Sequence, residues 1–243
     1  MRKSIVAAAI IAASASAAGC HSQGRENPGP TVSRTWQVGN FHQIEVAGPY
    51  DVEVRTGSAA GVAATGGEKI LGQALVEVKG DTLTIGPKER HGMFHFGWSN
   101  RGHAKFVVTV PELTRADLAG SGNVVIDKVA GTAFEGGLAG SGDLSVGSLK
   151  VQSAKFSIAG SGNVKAGGGT ATTVHYDIAG SGDIDAAGLQ AQDVKVGIMG
   201  SGNVKAQAKG SAAIDIMGSG DATVTGGAKC QVSKMGSGEA HCS

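Results

Sequence analysis

Apolar and polar residues alternate along the second half of the chain, on either side of a recurring glycine corner. The tripeptide Gly-Ser-Gly, followed by Asn, Asp or Glu, begins at Gly120, Gly140, Gly160, Gly180, Gly200, Gly218 and Gly236, at spacings of 20, 20, 20, 20, 18 and 18. Two residues before each of the first six corners stand Leu118, Leu138, Ile158, Ile178, Ile198 and Ile216, and four before stand Ala116, Gly136, Phe156, Tyr176, Val196 and Ile214. After the corner the apolar set resumes with Val124, Leu144, Val164, Ile184 and Val204. Successive side chains of a strand point to opposite faces, so each repeat predicts a strand into the corner and a strand out of it. A third apolar piece, such as Leu149-Lys150-Val151 or Leu189-Gln190-Ala191, completes the circuit.

Three short strands and three turns in about twenty residues make one coil of a single-stranded parallel β-helix. Stacked coils pair their backbones at about 4.8 Å, so the six steps from first to seventh corner span about 29 Å. Proline distribution agrees, because a stacked strand needs its N–H groups: none of the 5 prolines lies beyond Pro111. The N-terminal half shows the same chemistry less regularly. Phe41 to Val54 alternates, with Gly48-Pro49-Tyr50-Asp51 in the place of a corner. Val76-Glu77-Val78, Leu83-Thr84-Ile85 and Phe106 to Val110 add strands, which predict the first few coils interrupted by an insertion near 87–104. The expected class is all-β, with the β-helix over 36–243.

Composition narrows the classes further. Glycine makes up 41 of 243 residues, which disfavours long helices at roughly 1 kcal/mol per position. Glycine lacks the three-residue period of collagen, and 41% apolar content with a low net charge disfavours a disordered chain. A formal charge of +1 gives no footprint for nucleic acid.

The N-terminus reads as an address. Met1-Arg2-Lys3 precedes an apolar run from Ile5 to Ala18, too short to span a bilayer and suited to a signal h-region. The run ends in Ala17-Ala18-Gly19-Cys20, which resembles the lipobox of bacterial lipoproteins and implies a signal peptide over 1–19 with Cys20 lipidated. The alternative is an ordinary signal peptide cut after an Ala-x-Ala site. His21 in place of aspartate after the cysteine leans toward the outer membrane, and 20–35, with Pro28 and Pro30, reads as a flexible tether.

The apolar strand entering a glycine corner, the segment Val108-Thr109-Val110-Pro111-Glu112-Leu113 and the repeated Gly-Ser-Gly-[Asn/Asp] coils together resemble the putative auto-transporter adhesin head GIN domain, a bacterial family of unknown function. The resemblance covers about Trp36 to Ser243. It implies an envelope location and a right-handed β-helix, and brings no catalytic residues.

Stacking turns each repeat position into a column. The corner columns are Ser121, Ser141, Ser161, Ser181, Ser201 and Ser219, and Asn123, Asp143, Asn163, Asp183, Asn203 and Asp221. Carboxylates on every coil would stand about 4.8 Å apart and repel by about 1 kcal/mol in water. Alternating asparagine halves that density and supplies amide donors, so the column is expected to be a turn-stabilising ladder. The alternative is a calcium column, although the Gly-Gly-x-Gly-x-Asp pattern is missing. No metal or other cofactor is expected.

The outward columns are expected to be solvated faces of the solenoid. Asp177 and Asp215 share one of them, two coils apart, while His175 and Asp177 are expected to project to opposite sides. Cys230 and Cys242 flank the last corner in inward columns, and the even count suits one bridge in an oxidising compartment. The insertion holds Phe94, Phe96 and Trp98 with His91, His95 and His103, suited to covering the solenoid, to contact with a ligand or partner, or, through the histidines, to a transition metal. The leading expectation is a non-enzymatic envelope lipoprotein serving adhesion or scaffolding. Its partners would be the membrane through the lipid anchor and an envelope protein or glycan. The alternative is a carbohydrate-binding or carbohydrate-active β-helix acting on envelope or extracellular polysaccharide.

Overall fold

The computed structural model describes residues 29–88 and 104–243. They form a parallel β-solenoid with about 20 residues per turn. Its N-terminal part comprises β1 (Thr31–Trp36), β2 (Gln43–Ala47), β3 (Asp51–Thr56), β4 (Gly61–Gly67), helix α1 (Glu68–Gln73), β5 (Ala74–Lys79), β6 (Thr82–Pro87) and β7 (Ala104–Val110). The regular coils comprise β8 (Arg115–Gly120), β9 (Asn123–Ala130), β10 (Ala133–Gly140), β11 (Asp143–Lys150), β12 (Ser153–Gly160), β13 (Asn163–Ala166), β14 (Gly169–Gly180), β15 (Ile184–Gly200), β16 (Val204–Gly218), β17 (Ala222–Thr225), β18 (Lys229–Gly236) and β19 (Ala240–Cys242).

Along the regular part the corners stack in register, Gly120 on Gly140 on Gly160 and onward to Gly236. The first glycine of each corner takes a left-handed φ, +127° at Gly140, which a side chain would strain. The second has no room: a Cβ on Gly142 would lie 2.0 Å from the Gly122 carbonyl oxygen. Hydrogen bonds tie this stack of carbonyls together: Ser141 and Gly142 both donate N–H to Gly120 O at 3.0 and 3.1 Å, and Asp143 donates N–H to Gly122 O at 3.3 Å.

The core follows the even positions of the entering strands. Phe134, Phe156 and Tyr176 pack ring on ring at 5.9 and 6.0 Å, and glycine at 136 leaves the space, because a Cβ there would sit 2.9 Å from the Phe156 ring. Among the described residues no charged side chain is buried.

Stacking departs from chain order in the N-terminal half. The β2–β3 coil lies between two others: β2 pairs in parallel with both β6 and β8, and β3 with both β7 and β9. The first coils therefore do not stack successively as the repeat suggests. The chain lays down β2–β3, steps outward to make β6–β7, then crosses back so that β8–β9 covers the opposite side. The 87–104 insertion leaves the β6–β7 coil at the place where other coils turn their corner.

Antiparallel strands finish this end. β5 and β6 form a hairpin about Gly80-Asp81, β4 pairs with β7, and β1 pairs with β4. Residues 31–35 are thus a strand rather than tether, since alternating Thr31-Val32-Ser33-Arg34-Thr35 pairs with β4 from Gly67 to Ala63. Helix α1 buries Ile70 and Leu71 beside them.

Candidate functional site

Strands β8, β10, β12, β14, β15, β16 and β18 carry one outer face up to the corner. Two of its columns run in register along the solenoid. One is Asp117, Gly137, Ser157, Asp177, Gly197, Asp215 and Ser233; the other, immediately before the corner glycine, is Ala119, Ala139, Ala159, Ala179, Met199, Met217 and Met235. Glycine, serine and alanine leave the sheet poorly covered, and the result is a longitudinal groove of about 960 Å³ reaching from Glu45 to Met235. Its lining is chiefly apolar and shifts in size along the axis: alanines stand on the first four regular coils, methionines on the last three.

Charged groups border the groove in pairs. Arg115 donates from Nε to Asp117 Oδ2 at 2.6 Å and from Nη1 to Glu135 Oε2 at 2.8 Å. The Asp117 carboxylate raises the Arg115 guanidinium above its ordinary value and keeps it charged. His175 Nε2 lies 2.8 Å from Asp177 Oδ1, with Lys155 Nζ 3.7 Å from Asp177 Oδ2. The expectation that His175 and Asp177 face opposite sides is therefore corrected. They are two residues apart, and a strand returns to the same face every second residue. Asp177 and Asp215 remain separated by Gly197, two coils apart.

On the other side of the corner lies the Asn/Asp column. Asn163 donates from Nδ2 to Asp143 Oδ1 at 3.0 Å, and Asn203 from Nδ2 to Asp183 Oδ1 at 2.9 Å. The next residue up returns the bond: Asp183 N–H and Asp221 N–H donate to Asn163 Oδ1 and Asn203 Oδ1 at 3.3 and 3.0 Å. Asp51, from the Gly48-Pro49-Tyr50-Asp51 corner, joins the column, accepting from Asn123 Nδ2 at 2.8 Å. Ser121, Ser141, Ser161, Ser181, Ser201 and Ser219 are exposed, and from Ser141 onward the group that bonds the preceding coil is the backbone N–H.

At the last coil Cys230 and Cys242 are joined in a disulfide, 12 residues apart. Cys230 stands over Ala212 and Cys242 over Val224, both buried, so the bridge crosses the interior of the coil. Cys20, Phe94, Phe96 and Trp98, with the three histidines of the insertion, lie outside the described residues. The groove is the feature that sequence reasoning missed. Its signal was the residue before each glycine, alanine in the earlier repeats and methionine in the last three.

A family described as "Putative auto-transporter adhesin, head GIN domain" matches residues 40–228. Among solved structures, a putative adhesin from Bacteroides fragilis is similar at TM-score 0.78 and 23% identity, over 88% of this chain and 97% of that one. A putative lipid binding protein from Parabacteroides distasonis is similar at TM-score 0.69 and 25% identity, over 88% and 97%. A putative adhesin from Parabacteroides merdae is similar at TM-score 0.69 and 19% identity, over the same shares. No curated protein matches the chain.

Proposed function

Because the chain belongs to the putative auto-transporter adhesin head GIN domain family, we propose that it is a non-enzymatic cell-envelope module whose grooved face adheres to, or scaffolds, an envelope protein or glycan. The observation that carries this reading is the groove itself. It is long, open and continuous over seven regular coils, the shape of a docking surface rather than of a closed reaction site. Several of the charged groups on its border are already engaged with one another, Arg115 with Asp117 and Glu135, His175 with Asp177. The proposed address is a lipid on Cys20 holding the domain to the outer membrane, supported by Ala17-Ala18-Gly19-Cys20 and by His21.

The chiefly apolar lining favours a second reading, an acyl-chain ligand, which accords with the Parabacteroides distasonis neighbour, a putative lipid binding protein. A glycan array and vesicle flotation, run side by side on the chain with Cys20→Ser, separate the two. Glycan or envelope-protein binding with no vesicle association supports adhesion. Flotation with vesicles that disappears in Ala139→Arg/Ala159→Arg supports the acyl ligand. No binding to any of these surfaces overturns both.

A further inference from the structure

All three methionines among the described residues occupy one column. Met199 pairs with Met217 and Met217 with Met235 in register, and their exposures are 59%, 56% and 71%. Methionine normally fills gaps in a core, where its flexible thioether packs. Here the side chains contribute nothing to the core and present apolar surface to water, which costs free energy unless something covers or binds them. The same position in earlier coils is alanine, Ala119 to Ala179, so the fold does not demand a long side chain there.

What three thioethers share is donor chemistry. Methionine sulfur is a soft, neutral ligand of the kind that selects Cu(I) over hard cations. Adjacent strands lie about 4.8 Å apart, and three rotatable bonds per side chain let sulfurs on neighbouring coils converge on one ion. Neutral donors suit a monovalent ion, and Asp215 on the middle of these coils lines the same groove and offers a nearby negative charge. We propose that Met199, Met217 and Met235 form a thioether site for a soft monovalent cation of the Cu(I) class. This does not depend on the adhesion reading.

Silver(I), which needs no reductant and leaves the Cys230–Cys242 bridge intact, is the probe. The full chain carrying Cys20→Ser and labelled with ¹³C at the methionine methyls is titrated with Ag(I) and followed by NMR, with resonances assigned by single Met→Leu variants. The three methyl signals of 199, 217 and 235 should move together and saturate near one equivalent. M199L/M217L/M235L keeps the apolar wall and removes the sulfurs, so it should weaken Ag(I) binding at least tenfold. The proposal is overturned if the three signals stay still, if they respond one at a time over several equivalents, or if the triple variant binds as tightly. The titration of the unmutated methionines decides the matter should the triple variant fail to fold.

Discussion

Asn203 donates both its backbone N–H and its Nδ2–H to a single oxygen, Asp183 Oδ1, at 2.8 and 2.9 Å. Asn163 does the same to Asp143 Oδ1 at 3.2 and 3.0 Å. An aspartate in the asparagine's place would lose the side-chain donor and face another carboxylate one coil away.

Changing Asn123, Asn163 and Asn203 together to aspartate should therefore cost about 3 kcal/mol at neutral pH, from three lost donors and new like-charge neighbours. The repulsive part exists only while the carboxylates are ionised, so the deficit is largest at neutral pH and shrinks in acid. Calcium should rescue the variant yet leave the native melting temperature unmoved. Thermal melts at pH 7 and pH 4, with and without calcium, measure all of this. A native protein that melts many degrees higher in micromolar calcium would contradict the ladder reading.

Gly142→Ala tests the carbonyl stack. The added Cβ would meet Gly122 O at 2.0 Å, and Gly122 is held by its own N–H to Gly48 O at 3.2 Å and by Asp143 N–H to its oxygen at 3.3 Å. A loss of about 3 kcal/mol in chemical denaturation is expected from such overpacking. Gly39→Ala, where nothing lies within 4 Å, should change stability little.

Tyr176 is buried in the aromatic stack with its hydroxyl unpartnered, and burial pushes its phenol well above the ordinary tyrosine value. Leaving such a group unsatisfied costs about 1–3 kcal/mol. Tyr176→Phe keeps the ring and removes the orphan, so its denaturation midpoint should rise, and a clear fall would show that the hydroxyl is satisfied.

Glu53 is held below the usual glutamate range, first by its bond to Lys105 and then by Arg55, at 2.8 Å each. A depressed folded-state value means that its contribution is complete above the unfolded value of 4.5 and is lost as pH falls through the folded one. Glu53→Gln should thus be less stable than the native chain at pH 7, with the difference fading as the pH falls below 4.5. Paired urea melts across that window would detect it.

The solenoid was legible because every regular coil repeats the same offsets from Gly-Ser-Gly, and each offset maps to a face. Its N-terminal order was not, because Asp51 and Asn123 are neighbours in space but 72 residues apart in sequence. No local pattern carries that pairing. Gly80-Asp81 between Val78 and Leu83 is a hairpin signal that the repeat reading overlooked. The Asn/Asp column could be read from register alone. The groove was legible only as the alanine-to-methionine column before the corners, since its space arises from what Gly137, Ser157 and Gly197 fail to cover, and periodicity counts side chains rather than the space between them.

The claim that matters most is that the grooved face is the contact surface. Retention of the purified chain on immobilised envelope fraction should be compared for three forms: native, Ala139→Arg/Ala159→Arg in the groove, and Lys165→Glu/Lys205→Glu on the exposed face beyond the corner. All four positions are exposed, so the fold should survive in each. The account predicts at least a tenfold loss for the groove pair and near-native retention for the other. Equal retention of all three forms, or loss confined to the Lys165/Lys205 pair, would contradict it.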